Sequence, residues 1–142
     1  MLPEMHSYYG VDISLEMLKK CRNTFRHSGK SVKLFLAEAE DLPFNDEVFD
    51  CVFHVGGINF FNDKEKAIKE MIRVAKPGAL IMIVDETDKF FRQLSWVPFL
   101  TQFFKLGSST EPPVKFLPRN VDSILLDTII GKNYWVLTFR KL

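Results

Sequence analysis

A short apolar strand that ends in an acid, close to the first residue, places the strongest constraint on the fold. Tyr8–Val11 is apolar, Asp12 follows it, and Ser14 is a suitable N-cap for a segment with apolar residues at helical spacing. In an open α/β sheet, an acid at this point usually binds the ribose of an adenine-containing cofactor. A glycine-rich loop is expected about 20 residues earlier, after a first strand. Only eleven residues precede Asp12, and Gly10 is the one glycine among them.

Strand-like and helix-like segments alternate along the chain, which predicts a parallel sheet with helices on its faces. The predicted parallel strands are short apolar runs that begin at Tyr8, Val32, Phe49 and Ala79. Near the end, Ser123–Ile130 and Tyr134–Arg140 flank a Gly-Lys-Asn turn, which predicts an antiparallel hairpin. We therefore expect one domain over residues 1–142: a Rossmann-like, mostly parallel α/β sheet that lacks the first strand and the glycine-rich loop.

Several boundaries follow from local signals. Asn62 with Glu65 three residues later predicts a capping box at the start of a helix. Lys76-Pro77-Gly78 is expected to end that helix, before a buried strand over Ala79–Val84. Phe49–Val55 is nearly continuous in apolar residues, which predicts a strand covered on both faces. Residues 88–106 are rich in aromatic side chains and are predicted to be helical or mixed.

Composition and charge exclude several classes of function. The 19 basic and 18 acidic side chains leave a net charge of +1, so no electrostatic surface for nucleic acid is predicted. No apolar run reaches the roughly 18 residues of a membrane span, and the first residues do not have the pattern of a signal peptide. Cys21 and Cys51 are far apart and show no metal-ligand spacing. This pattern favours reduced thiols in a cytoplasmic protein without a bound metal.

Four short motifs occur in a fixed order: the acid-ended strand at Asp12, the segment Ala37-Glu38-Ala39 with Leu-Pro-Phe after it, the Phe49-Asp50 pair, and the Lys76-Pro77-Gly78 helix end. In this order and spacing they resemble the class I S-adenosylmethionine-dependent methyltransferases. The nearest branch is that of the methyltransferase-11 and ubiquinone/menaquinone-type enzymes of small molecules. The resemblance covers residues 8–85 well and residues 134–141 more loosely.

The resemblance implies a role for five residues in binding S-adenosyl-L-methionine. Asp12 would accept hydrogen bonds from both ribose hydroxyls, and Ile13 would pack on the adenine edge. Glu38, where the family more often has aspartate, would accept from the adenine amino group. Ala39 would donate its backbone N–H to the ring. His54 would lie near the methionine part or the substrate, where it is a candidate base; the catalytic residue itself stays open.

The function implied is methyl transfer from S-adenosyl-L-methionine to a small-molecule or lipid-like acceptor. One alternative is a truncated, non-catalytic methyltransferase-like remnant or partner-binding module, and another is a nucleotide-binding dehydrogenase, which the Leu-Pro-Phe and Lys-Pro-Gly motifs disfavour. The residues also have plainer interpretations. Asp12 could cap the helix after Ser14, and the acids around Glu38 could form a solvated turn.

The absence of a glycine-rich loop leads to two further expectations. In the family, the first strand lies between the strands that correspond to those ending at Asp12 and starting at Phe49. In an N-terminally truncated form, these two strands would either pair directly or stay separated. The adenosine half of the cofactor site would survive and the methionine half would not. Exposed strand edges recruit other chains, so a homodimer is possible for such a form.

Overall fold

The structure, a computed structural model, describes residues 7–26, 31–94 and 110–142. Strands and helices alternate through most of these ranges, as the sequence predicts. The strands are β1 (Tyr8–Asp12), β2 (Val32–Leu36), β3 (Phe49–Val55), β4 (Ala75–Glu86), β5 (Val121–Ile129) and β6 (Tyr134–Lys141). The α-helices are α1 (Leu15–Arg26), α2 (Lys64–Val74) and α3 (Asp88–Leu94), and short 3-10 turns lie at Ile58–Phe60 and Val114–Phe116.

The first of two compact units comprises Met1–Phe44. In it, β1 pairs with β2 in parallel, and Asp12 is opposite Leu36 in the register. Helix α1 follows β1 directly, and the predicted N-cap is confirmed because the Ser14 hydroxyl accepts a hydrogen bond from the Met17 N–H at 3.3 Å. The helix buries Leu18. This unit therefore presents the carboxyl ends of two neighbouring parallel strands at one edge.

The second unit, Asn45–Leu142, is built on a four-stranded sheet in the order β3-β4-β6-β5. Strands β3 and β4 are parallel, and β6 is antiparallel to both of its neighbours, β4 and β5. The predicted C-terminal hairpin is thereby confirmed. The core forms where apolar side chains of β4 and β6 pack against one face of α2: Ile81, Ile83, Trp135, Leu137, Phe139, Ile68, Met71 and Ile72.

The predicted fold class is confirmed, and the pairing of the strands adds one detail. The parallel pairs β1–β2 and β3–β4 lie in two separate sheets of the described residues rather than in one. Of the two arrangements expected for the strands that end at Asp12 and begin at Phe49, direct pairing is therefore wrong. Each of these strands pairs on one side alone within the described part of the chain.

Two predicted boundaries around α2 are wrong by a few residues. The N-cap is Asp63 rather than Asn62, because the Asp63 carboxylate accepts from the Lys66 N–H at 2.9 Å. The helix ends at Val74, and β4 begins at once with Ala75 rather than at Ala79. Extended backbone at Ala75 allows it to pair with β3, and an irregularity in the register follows between this first pair and the rest of the ladder.

The prediction that β3 is covered on both faces is also wrong. Exposure alternates along the strand, and the side chains of Phe53 and Val55 are 62% and 63% exposed. In the closing hairpin, the first strand covers Val121–Ile129, two residues earlier at its start than expected, and the second extends to Lys141. Helix α3 confirms the start of the predicted helical segment, and residues 95–106 lie outside the described residues.

Candidate functional site

The carboxyl-terminal edge of the β1–β2 pair gathers four of the residues singled out by the sequence. Asp12 ends β1, Ile13 follows it, and Ala37-Glu38-Ala39 comes directly after β2. The Ala37 N–H donates to the backbone oxygen of Asp12 at 3.3 Å, which extends the parallel ladder by one step. Because the ends of neighbouring parallel strands meet at one edge, Asp12 and Glu38 lie on the same side of this small sheet.

The half-buried carboxylate of Asp12 has one structural contact. Its Oδ1 atom accepts a hydrogen bond from the Ser14 N–H at 2.8 Å, which fixes the turn between β1 and α1. The other oxygen, Oδ2, has no partner among the described residues. The capping interpretation and the ribose interpretation are thus compatible, because each can use a different oxygen of one carboxylate.

The other three residues at this edge are open to a ligand to different degrees. Ile13 is 73% exposed, which is unusual for so large an apolar side chain directly after a strand. Ala39 is half-buried, and its N–H donates to no described residue. Glu38 is exposed, and its backbone oxygen accepts from the Asp41 N–H at 3.2 Å in a turn. The exposed Ile13 side chain, the Ala39 N–H and the Asp12 Oδ2 atom are an apolar surface, a donor and an acceptor, which are the groups that can bind a nucleoside.

His54 belongs to the second unit, on β3, and its surroundings there are mostly apolar. Its ring meets that of Phe61 edge to face, with 5.0 Å between the centroids. Burial lowers the pKa of His54, while the nearby Asp85 carboxylate and a hydrogen bond to the Gly56 backbone act in the opposite direction. The Nε2 atom is buried and has no partner among the described residues. The imidazole is therefore neutral at pH 7, the form that can accept a proton.

An acid pair at the end of β4 is a feature that the sequence reasoning missed. Asp85 is completely buried, and its carboxylate accepts hydrogen bonds from the backbone N–H groups of Asn59 at 2.9 Å, Gly57 at 3.2 Å and Glu86 at 2.9 Å. A hydrogen bond to Asp85 raises the pKa of Glu86 to about 7, with smaller effects of burial and of the Asp85 charge. Two adjacent acids directly after a buried strand were the available sequence signal.

The described residues provide neither a metal centre nor a membrane-spanning helix. They contain no group of three or more histidine, cysteine, aspartate or glutamate side chains arranged to hold a metal ion. None of the helices in the described ranges is long and apolar enough to cross a membrane.

Comparison with known proteins shows which protein family the chain matches. A protein-family model described as "Methyltransferase domain" matches residues 1–83, which is more than half of the chain. A ubiquinone/menaquinone biosynthesis C-methyltransferase of Pectobacterium carotovorum is 38% identical over 89 residues, a region that covers 61% of this chain and 36% of that protein. The chain thus spans about a third of the length of the curated relatives it matches.

Solved structures agree in fold. An S-adenosylmethionine-dependent methyltransferase from Thermotoga maritima superposes with a TM-score of 0.71 at 22% identity, covering 95% of this chain and 73% of the other. The N-methyltransferase NodS from Bradyrhizobium japonicum gives a TM-score of 0.65 at 15% identity, covering 99% and 76%. At these identities the likeness extends to the fold and not to the reaction.

Proposed function

Because the chain belongs to the class I S-adenosylmethionine-dependent methyltransferase family, we propose that it binds the adenosine part of S-adenosyl-L-methionine at the edge formed by β1 and β2. One observation carries the proposal. The Asp12 carboxylate keeps its Oδ2 oxygen without a described partner, at the carboxyl end of a parallel strand pair. Ligands of open α/β sheets bind outside the carboxyl ends of the strands, so this oxygen is where a ribose would lie.

The other residues of this edge support the same ligand. The exposed Ile13 side chain offers an apolar surface to an adenine ring, and the Ala39 N–H offers a donor to a ring nitrogen. Glu38 is exposed and can accept from an amino group, although its side chain is one methylene longer than the aspartate usual in the family. Asp12 carries the largest share of the binding energy, because hydrogen bonds to a charged carboxylate are the strong ones.

The reaction proposed is transfer of a methyl group to a small-molecule or lipid-like acceptor, with residues 1–142 acting as a partial methyltransferase domain. The cofactor supplies a methyl group that is already activated on a sulfonium, so alignment is the main task of the protein. The ubiquinone/menaquinone enzymes among the relatives favour a quinone-like acceptor for this chain. In the second unit, the neutral and buried His54 is the residue for which we propose contact with the acceptor.

Binding of adenosine and of S-adenosyl-L-methionine, measured by isothermal titration, tests the proposal. Asp12→Ala should weaken adenosine binding at least tenfold, because two charge-assisted hydrogen bonds are lost. Asp12→Asn is the more informative variant, since its amide oxygen can still accept from the Ser14 N–H and preserve the turn. It should also weaken binding, by roughly tenfold.

The matched control is Asp41→Asn, a change at an exposed acid in the turn that follows Ala39. This variant should bind adenosine as the unchanged chain does. Tight binding that survives both Asp12 variants would place the site elsewhere and end the proposal.

A second candidate function, binding of a second copy of the chain, rests on β3. This strand pairs with β4 alone among the described strands, and Phe53 and Val55 on it are more than half exposed. An open strand edge with apolar side chains is a template for pairing with another chain. We expect a homodimer by light scattering, and Phe53→Lys should shift it to monomer. A monodisperse monomer of the unchanged chain would refute this function.

A further inference from the structure

A cavity of about 310 Å³ lies in the second unit, between the start of α2 and the segment 111–116. Its walls come from residues 61–65 and from that segment. Pockets for small ligands have volumes of about 300–1,000 Å³, so this cavity is large enough to hold a small molecule. None of its residues belongs to the β1–β2 edge at which we propose adenosine binding.

The apolar part of the cavity consists of two aromatic rings and a proline. Phe61 and Phe116 are half-buried and pack against the core of the second unit, and Pro113 is buried. The Phe61 ring is also in contact with the ring of His54, with 5.0 Å between the centroids. Because the core sets the positions of both phenylalanines, their rings offer a preformed apolar surface to the ring of a ligand.

The three acids that line the cavity are already engaged. The Asp63 carboxylate caps α2 by accepting from the Lys66 N–H at 2.9 Å, and Glu65 forms an ion pair with Lys69 at 2.7 Å. Glu111 is exposed and also has an interaction within the chain. None of the three therefore presents an unengaged carboxylate to a cationic ligand.

Lys115 is a cation of this cavity without a counter-charge. It is exposed, its ammonium lies 5.1 Å from the centroid of the Phe116 ring, and it forms no ion pair with any described residue. Lys64 lines the same cavity. Burial lowers the pKa of Lys64, the Asp85 carboxylate acts in the opposite direction, and the charge of Lys115 adds to the lowering. The two ammonium groups therefore repel each other, and an anion beside them would relieve that repulsion.

We propose that this cavity binds an aromatic carboxylate, whose ring lies against Phe61 and Phe116 and whose carboxylate forms an ion pair with Lys115. Burial of the ring supplies affinity, and the ammonium selects an acid over a neutral molecule of the same shape. An aromatic cation would also find rings and acids here, but the acids are engaged and Lys115 already occupies the face of Phe116. The site does not depend on the methyl transfer proposed above.

Isothermal titration of the 142-residue chain with naphthoate tests the proposal. Naphthamide has nearly the same shape without the charge, and acetate has the charge without the rings. Naphthoate should bind about tenfold more tightly than naphthamide, because its contact with the ammonium is charge-assisted. Acetate should bind at least tenfold more weakly than naphthoate, because it buries no ring.

Variants separate the charge from the ring. Lys115→Gln should remove the preference for naphthoate over naphthamide, and Lys115→Arg should keep it. The matched control is Lys66→Gln, which removes an exposed charge of α2 outside the cavity and should leave the preference unchanged. Phe61→Leu should weaken the binding of naphthoate and naphthamide by the same factor, so that their ratio stays as it is.

Amide chemical shifts locate the bound naphthoate. They should change at residues 61–65 and 111–116, whereas changes confined to the β1–β2 edge would overturn the proposal. Other results against it are no saturable binding of naphthoate, equal binding of naphthoate and naphthamide, tighter binding of naphthylmethylammonium, or a preference that survives Lys115→Gln. Acetate that binds as tightly as naphthoate would likewise refute it. Failure of adenosine to bind would leave this site untouched, since the two sites share no residue.

Discussion

Replacing Asp85 by asparagine tests how much of the second unit depends on one buried carboxylate. Its Oδ1 atom accepts from the N–H groups of Gly57 and Glu86, and its Oδ2 atom accepts from the Asn59 N–H. An asparagine has one acceptor oxygen, so its NH₂ group would face at least one backbone N–H and leave that donor unpaired. A buried unpaired donor costs about 1–3 kcal/mol, and the remaining hydrogen bonds lose their charge.

We expect Asp85→Asn to lower the free energy of unfolding by about 3 kcal/mol. Urea unfolding, followed by the fluorescence of Trp135, reports on the second unit, because this side chain is 2% exposed in the core of that unit. A Trp96→Phe background removes the only other tryptophan of the sequence. The matched control is Asp127→Asn, whose exposed carboxylate accepts one hydrogen bond from the Thr128 N–H at 2.7 Å, and which should cost less than about 0.5 kcal/mol. If Asp85→Asn lowers the free energy of unfolding no more than Asp127→Asn does, the reasoning is refuted.

Three further outcomes follow from packing, backbone strain and protonation. Leu137→Ala, at a fully buried position of β6, should lower the free energy of unfolding by about 3 kcal/mol in a urea titration, whereas Leu126→Ala, at its 48% exposed cross-strand partner, should cost less than about 1 kcal/mol. Gly78→Ala should cost about 1 kcal/mol in the same assay, because φ is +77° at this position. Since the pKa of Glu86 is raised to about 7, the folded protein binds this proton more tightly than the unfolded chain. The urea midpoint should therefore fall as the pH rises from about 4 to about 7, and Glu86→Gln should flatten that fall.

The fold elements that the sequence predicts well are those that local signals determine. Tyr8–Asp12 reads as a strand from its own apolar run, and Ser14 begins the next helix through a contact only three residues long. The closing hairpin follows from two strand-like runs and a turn. These features depend on neighbours in the chain, so composition and spacing are enough to find them.

The features that the sequence did not predict depend on residues distant in the chain. The exposure of Phe53 and Val55 is set by which strands lie beside β3, and an apolar run alone does not contain that information. Likewise, Ala75 is a strand residue because Phe49 pairs with it, although its own neighbours suggest the end of a helix. In both cases tertiary pairing prevails over local preference.

The large sequence separation between contacting residues also explains why the acid pair was not predicted. It explains as well why the roles of Asp85 and Glu86 need different variants to test them. Asp85 meets backbone N–H groups that lie 28 and 26 residues earlier in the chain, and these contacts place its carboxylate beside Glu86. A single carboxylate therefore fixes the loop after β3 and keeps a proton on its neighbour. Asp85→Asn alters both properties at once, so a lost function in that variant could come from either. Glu86→Gln keeps all three hydrogen bonds of Asp85 and removes only the titration. A reaction that tolerates Glu86→Gln but not Asp85→Asn would therefore assign the pair to structure. A reaction that slows in Glu86→Gln and loses its pH dependence in that variant would assign the pair to chemistry.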